Sequence, residues 1–176
     1  MATVRLLPHH APAYRALMLD AYARHPDAFT SSVDERAALP LAWWQARLAP
    51  GPDAAEAVWA SVADDVILGV AGLAFERREK VRHKATLFGM YVRPEQRGQG
   101  LGRQLVEAVL AHARTLPHIA LVQLTVSDGN VGAIALYRAG GFEAWGCEPL
   151  AVRVGDGFVR KWHMGCSLIG PEQPGG

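Results

Sequence analysis

Glycines occupy alternate positions in a basic segment near the middle of the chain, Arg97-Gly98-Gln99-Gly100-Leu101-Gly102-Arg103. Glycine has no Cβ, so it lets the backbone bend tightly and lets amide N–H groups approach a ligand closely. An apolar run precedes the segment and an amphipathic helical pattern follows it, so these amides would lie at a helix N-terminus, where unpaired donors favour a phosphate. Arg97 and Arg103 add positive charge. The segment therefore predicts a phosphate-binding turn.

The spacing of these glycines separates the turn from two common nucleotide-binding loops. It does not give the G-x-G-x-x-G pattern of dinucleotide-binding folds, and no Gly-Lys-Ser/Thr follows as in a P-loop. Arg97-x-x-Gly100-x-Gly102 instead resembles the pyrophosphate loop, R/Q-x-x-G-x-G/A, of the GNAT superfamily of acyl-CoA-dependent N-acetyltransferases.

A second segment, residues 125–142, supports the same resemblance. It is similar to the family's block of strand, Asn, helix, Leu-Tyr-x-x-x-Gly-Phe, with Asn130, Leu136-Tyr137 and Gly141-Phe142 at the matching positions. The resemblance extends from about Thr3 to Leu168. It implies a single-domain α/β fold with a mixed, mostly antiparallel sheet of about seven strands, a central splayed parallel pair and about four flanking helices.

Hydrophobic periodicity predicts elements in the order β-α-α-β-β-β-α-β-α-β-β. The predicted strands are 3–7, 57–63, 66–75, 85–92, 119–126, 142–154 and 158–168, and the predicted helices are 11–23, 41–48, a long helix from 101 that ends by Pro117, and 131–139. Residues 26–39 are predicted to be a loop or a broken helix. We expect one domain over residues 1–169 and a flexible Pro- and Gly-rich tail over 170–176.

The resemblance implies that acetyl-CoA is the co-substrate. Its pantetheine arm would lie between the strand that ends at Val92 and the strand that begins near Leu121, where separated strands leave backbone groups unpaired. The residues expected to bind it are Met90, Tyr91, Val92, Arg97, Gly98, Gln99, Gly100, Leu101, Gly102, Arg103, Asn130 and Tyr137.

The resemblance also implies a general acid, Tyr137, beside the thioester sulfur. A phenol with an ordinary pKa of about 10 stays protonated at neutral pH and can donate to a departing thiolate. Many relatives carry a glutamate base on the strand before the loop, but residues 85–92 contain no acid. Glu76 and His83 are the nearest candidate bases; a water chain, or an acceptor that arrives neutral, would serve without either.

The acceptor is expected to be a primary amine, on a small molecule, a peptide or a protein, acetylated directly in a ternary complex. By resemblance, its pocket would be built from the first two helices and the last hairpin, and would include Phe29 to Ser32 (among them Thr30), Trp43, Trp44 and parts of residues 142–163. Adjacent helical positions are about 100° apart, so Trp43 and Trp44 cannot both face the core squarely, and one is free to line a pocket or an interface.

Composition argues against several classes of function. The chain has 176 residues, with 18 basic against 17 acidic side chains, which argues against a broad basic surface for nucleic acid. No apolar run approaches the roughly 18 residues of a membrane span, and no export signal is visible, so a cytoplasmic protein is expected. The histidines and the two cysteines lack metal-site spacing, so no metal is predicted. A monomer or a homodimer is expected.

Cys147 and Cys166 are expected to face each other across the last hairpin if Asp156-Gly157 forms its turn, as two buried, reduced thiols. Three alternatives to an acetyltransferase remain open at this stage. They are a transferase for a longer acyl-CoA, a CoA-binding sensor or partner protein without activity, and a nucleotide-binding module of another class.

Overall fold

A computed structural model describes residues 1–170. The strands are β1 (Ala2–Arg5), β2 (Glu56–Ala63), β3 (Val66–Phe75), β4 (Lys84–Val92), β5 (Leu121–Ser127), β6 (Glu143–Val154) and β7 (Gly157–Ser167). The helices are α1 (Ala11–Arg24), α2 (Val33–Ala37), α3 (Leu41–Arg47), α4 (Leu101–Arg114) and α5 (Val131–Ala139). The order matches the prediction with one addition, α2; the predicted tail lies outside the described residues from position 171 onward.

Helix α2 forms in the segment predicted to be a loop or a broken helix because its first turn is capped. The Ser32 hydroxyl accepts the Glu35 amide at 3.2 Å, and the Glu35 carboxylate accepts the Ser32 amide at 3.0 Å. Arg15 on α1 donates to the carbonyl of Ala37 at 2.9 Å, which fixes the other end of α2. These contacts position α2 beside α1, with Arg36 lining a cavity described below.

The seven strands form one sheet in the order β1-β2-β3-β4-β5-β7-β6, and β4 with β5 is its one parallel pair among the described residues. That pair is short: Lys84 faces Leu121, Ala85 faces Val122 and Thr86 faces Gln123, and no pairing continues beyond these positions. The two strands then diverge. The predicted fold class, including the splayed central pair, is confirmed.

A β-bulge in β4 lies where the divergence begins. Val70 of β3 faces Tyr91, but Gly72 faces Phe88, so β4 carries one extra residue between these two pairs. Gly89 in this stretch has φ of +61°, a left-handed conformation that favours glycine. A bulge of this kind bends a strand and turns the side chains and amides that follow it.

Helices cover both faces of the sheet and enclose two apolar clusters. On one face, α4 packs Leu105, Val109 and Leu110 against the sheet, and α5 adds Tyr137. On the other face, α1 and α3 bury Leu17, Met18, Trp44 and other side chains against β2, β3 and β4. Each cluster removes more than ten side chains from water, which stabilises the sheet that positions the central strands.

The predicted pairing of the two cysteines is wrong. Val154 faces Gly157, so the turn is Gly155-Asp156, and a register shift between Glu148 and Val152 moves the partner of Cys147 further. Cys147, which is exposed, therefore faces Trp162, whereas Cys166 is buried and pairs with Val122 of β5. Both thiols are free.

Candidate active site

The divergence of β4 from β5 opens a cleft that contains two cavities. The larger has a volume of about 610 Å³ and is bordered by the glycine turn and the first residues of α4 and α5. The smaller, about 270 Å³, lies between the middle of β4, the end of β5 and the segment after α1. Five residues line both cavities: Ala28, Phe29, Met90, Asn130 and Ala133. The two cavities are therefore parts of one continuous cleft.

The glycine turn presents a row of amide donors to the larger cavity. Gly98 and Gly100 have φ of +78° and +79°, and Gly100 is the N-cap of α4. The first bond of the helix runs from the Gln104 amide to the Gly100 carbonyl, and no backbone acceptor within residues 1–170 takes the amide hydrogens of residues 98–103. Unpaired amides at the positive end of a helix dipole suit the negative charge of a diphosphate.

Close packing holds this turn against the neighbouring helix. A Cβ added at Gly102 would lie 3.1 Å from Cδ2 of Leu136 on α5 and 3.3 Å from Cε of Met90 on β4. Glycine at this position lets α4, α5 and β4 converge, so the amide row lies at the mouth of the cleft.

The two arginines of the turn differ in their contacts. Nε of Arg97 donates to the Val92 carbonyl at 3.2 Å, and its Nη2 lies 3.1 Å from Nε2 of His25. Arg103 is largely exposed and pairs with Glu107 at 2.7 Å. Both line the larger cavity, as do Gly98, Gly100, Leu101 and Gly102, whereas Gln99 does not and instead donates to Gln96.

Residues 90–92 contribute to the cleft in two ways. The side chains of Met90 and Val92 pack on the α4 side of the sheet. Tyr91 is buried on the opposite face, where its hydroxyl lies 3.3 Å from Oδ2 of Asp20 and burial raises the pKa of the phenol. All three line the larger cavity beyond the point where β4 stops pairing with β5.

Asn130 and Tyr137 lie at the junction of the two cavities or close to it. The Asn130 side chain caps α5, with Oδ1 accepting the Ala133 amide at 3.2 Å. Tyr137, one helix length further on, lines the smaller cavity and is 5% exposed. Burial raises the pKa of Tyr137, and no group in residues 1–170 hydrogen-bonds its hydroxyl. The phenol is therefore a protonated donor directed at the cleft.

Three basic side chains line the smaller cavity: Arg36 from α2, Arg47 from α3 and Lys161 from β7. Lys161 is 5% exposed, its Nζ lies 3.3 Å from Oγ1 of Thr30, and burial lowers its pKa. Sequence analysis singled out none of the three as a site residue, although Lys161 lies in the hairpin expected to contribute to the acceptor pocket. They lie far apart in the chain and in no motif, and only the tertiary fold brings them together.

The residues expected around the acceptor divide into two pairs. Phe29 and Thr30 line the smaller cavity. Trp43 and Trp44 do not: Trp44 is 1% exposed and packs edge-on to Tyr14, and Trp43 lies behind the arginines, with its ring centre 4.7 Å from the guanidinium carbon of Arg36 and 4.6 Å from that of Arg47.

The two candidate bases lie outside the strands, at the ends of β3 and β4. Glu76 follows β3 and His83 precedes β4, at the end of the sheet where β4 still pairs with β5. Neither lines a cavity of the cleft. With a strand rise of about 3.3 Å per residue, His83 is roughly 10 Å along the strand from Thr86, the first residue of β4 that lines the smaller cavity. The structure does not bring these two side chains to the site.

Two other features are absent from residues 1–170. No cluster of three or more His, Cys, Asp or Glu side chains in residues 1–170 could hold a metal ion. No helix in this range is long and apolar enough to cross a membrane.

A mixed sheet that opens at one parallel pair, with a glycine turn and a helix N-terminus at the opening, is the architecture of the GNAT transferases. A Salmonella typhimurium protein whose structure was solved with its cofactor acetyl-CoA has this fold, with a TM-score of 0.78 and 21% identity over 99% of both chains.

The chain belongs to the acetyltransferase (GNAT) family, whose model matches residues 14–142. It is 34% identical over 119 residues to an L-methionine sulfoximine/L-methionine sulfone acetyltransferase of Pseudomonas paraeruginosa, a match covering 68% of this chain and 65% of the relative. It is 39% identical over 69 residues to the [ribosomal protein bS18]-alanine N-acetyltransferase of Escherichia coli K12, covering 39% of this chain and 46% of the relative. The matched segments thus span less than two thirds of either relative.

Proposed function

We propose that the protein transfers the acetyl group of acetyl-CoA directly to a primary amine in a ternary complex. The observation that carries the proposal is the continuous cleft between β4 and β5, which joins a row of unpaired amides to a buried, protonated tyrosine. The larger cavity would take the CoA portion and the smaller one the acceptor.

The glycine turn would hold the diphosphate. The amides of residues 98–103 supply the donors, and Arg97 and Arg103 supply the positive charge. Both arginines would have to exchange partners, because His25 and Glu107 occupy their guanidinium groups here. The binding energy at the turn fixes the position of the thioester some distance away.

The backbone of β4 would bind the pantetheine arm. Met90, Tyr91 and Val92 lie where the ladder to β5 has ended, so an amide-rich chain can pair with them as an added strand would. Asn130 faces this region from the start of α5, and its amide NH₂ group remains as a donor while Oδ1 caps the helix.

Tyr137 would act as the general acid. As the amine nitrogen bonds to the carbonyl carbon, negative charge develops on the oxygen, and a backbone N–H near Val92 would stabilise it. When the C–S bond breaks, the phenol donates its proton or a hydrogen bond to the sulfur, and the nitrogen loses its own proton to solvent. The raised pKa of Tyr137 keeps it in the donor form throughout.

The relatives do not select an acceptor, since one acts on amino-acid derivatives and the other on a ribosomal protein. The test is a two-part measurement on the purified full chain. Calorimetry should detect binding of CoA and acetyl-CoA, and a free-thiol assay over an amine panel should detect amine-dependent release of CoA. Binding without release from any amine would favour a CoA-binding sensor, and a higher rate with longer thioesters would favour a different acyltransferase.

A further inference from the structure

The charges of the smaller cavity are strongly unbalanced. Its ionisable lining residues are Tyr22, Arg36, Arg47, Tyr137 and Lys161, and none of the described residues that line it is an acid. Glu56, behind the wall, lies 2.8 Å from Nε of Arg47 and offsets one positive charge. Glu148 faces Lys161 across β6 and β7, but it is exposed and also contacts His163. The cavity therefore carries an excess of positive charge.

Such a cavity repels an acceptor that is only a cation. A protonated amine, and above all a polyamine, would have to approach two guanidinium groups in a partly buried space, where like charges are poorly screened. An acceptor that also carries an anion would be attracted as a whole. The bound anion would face the arginines, and the amine would be free to extend toward Tyr137 and the thioester.

The two arginines are held in place for such a contact. Both guanidinium groups lie against the ring of Trp43, and that of Arg47 also lies 4.9 Å from the ring centre of Phe88. The Arg47 side chain is only 15% exposed. Guanidinium groups stacked on aromatic rings keep their planar edges available for the paired hydrogen bonds that a carboxylate accepts.

We propose that the acceptor is a small amine bearing a carboxylate or a similar anion, and that Arg36 and Arg47 bind this anion while Trp43 positions both arginines. The inference rests on the proposed function, because it assigns the acceptor class of the same cleft. A cavity of about 270 Å³ suits an acceptor of amino-acid size.

The experiment compares acceptors that differ only in the anion. L-Amino acids and the corresponding L-amino-acid amides are tested with saturating acetyl-CoA, beside spermidine and an alanine-initiated tetrapeptide amide. We expect kcat/KM at least tenfold higher for the acids than for their amides, at pH values chosen so that equal fractions of each amine are neutral.

Variants of the arginines test the assignment of residues. Arg36→Gln should remove most of the preference for the acid by raising its KM, with KM for acetyl-CoA unchanged. Arg47→Lys keeps the charge opposite the partly buried Glu56 and should weaken the preference less than Arg36→Gln. Trp43→Leu should raise KM for the acid and not for the amide. Trp43→Phe, which keeps an aromatic ring, should return KM for the acid most of the way to the wild-type value. Arg82→Gln, at an exposed loop position, is the matched control and should change nothing.

A binding measurement makes the outcome independent of turnover. N-Acetyl amino acids and their amides, titrated into the CoA-bound protein, should show tighter binding of the acid, and Arg36→Gln should abolish the difference. Equal binding and turnover of acid and amide, faster turnover of spermidine or the peptide amide, or a preference unaffected by both arginine variants would overturn the inference. If the proposed acetyltransferase function itself were wrong, no amine at all would cause release of CoA, so the two outcomes can be told apart.

Discussion

Gly72 of β3 lies directly opposite Phe88 of β4, and a Cβ built on Gly72 would come within 2.6 Å of Cε1 of the Phe88 ring. The absence of a side chain at position 72 therefore sets where the Phe88 ring lies, and this ring lines the smaller cavity. One residue of a strand outside the cleft thus shapes the space for the acceptor.

The first prediction follows from this contact. Gly72→Ala should force the Phe88 ring to shift, lowering the free energy of unfolding by about 1–3 kcal/mol, the usual cost of overpacking. It should also raise KM for the acceptor, with little effect on acetyl-CoA binding. Denaturant unfolding and steady-state kinetics measure both effects. Gly146→Ala, where an added Cβ meets nothing within 4 Å, is the control, and equal behaviour of the two variants would contradict the prediction.

The second prediction concerns the glycine turn. Gly100→Ala places a Cβ on a residue with φ of +79°, which costs about 1–2 kcal/mol, and disturbs the first amides of α4. CoA affinity should fall, and the loss of binding free energy should be larger than the loss of unfolding free energy accounts for. The matched control is Gly155→Ala in the turn between β6 and β7, where φ is +59° and the backbone strain is similar. If calorimetry shows equal loss of CoA affinity in both variants, the turn does not bind the diphosphate.

The fold could be predicted from the sequence because its signals are local. Alternating apolar residues gave the strands, and helical spacing gave α1, α3, α4 and α5 with bounds close to those observed. The glycine turn lies between β4 and α4 as expected, because a helix N-terminus is determined by the residues next to it. The family resemblance supplied the splayed pair, which periodicity alone does not give.

Features that depend on distant contacts were missed or predicted incorrectly. The hairpin register failed for two reasons: the turn is Gly155-Asp156 rather than Asp156-Gly157, and a register shift between Glu148 and Val152 moves the pairing further, so that Cys147 faces Trp162 instead of Cys166. The bulge in β4 had one signal, an isolated Gly89 within a strand pattern, which was not used. No local signal in the sequence indicated the basic cavity, because Arg36, Arg47 and Lys161 come together only in the folded chain.

The third prediction tests Tyr137 as the general acid. Tyr137→Phe removes the only hydroxyl of the ring and leaves its packing against Phe142, so the fold and CoA affinity should persist. The rate constant kcat should fall on the order of 100-fold or more, the usual contribution of a general acid. Tyr14→Phe, another buried tyrosine outside both cavities, should retain full activity. An unchanged kcat in Tyr137→Phe would remove this residue from the mechanism.

The fourth prediction links the basic cavity to the missing carboxylate base. The acceptor amine must be neutral to attack, and nearby cations favour its neutral form, so the charge of Arg36 and Arg47 that the acceptor's own anion leaves uncompensated lowers the pKa of the bound amine. The cavity would then favour deprotonation without a base on β4. Lys161 adds to this effect in its charged form, Glu56 opposes it, and Tyr22 and Tyr137 remain neutral because burial raises their pKa values.

The pKa of the bound amine determines how kcat depends on pH. In the wild type, kcat should rise with pH through the lowered pKa of the bound amine. Arg36→Gln removes one cation, so that pKa should increase and the rising limb should move to higher pH by roughly half to one unit, given partial solvent screening. Added salt should reduce the difference between the two profiles, because it screens the same interaction. Arg82→Gln should leave the profile in place, and a shift to lower pH in Arg36→Gln would show that the cavity does not act on the amine in this way.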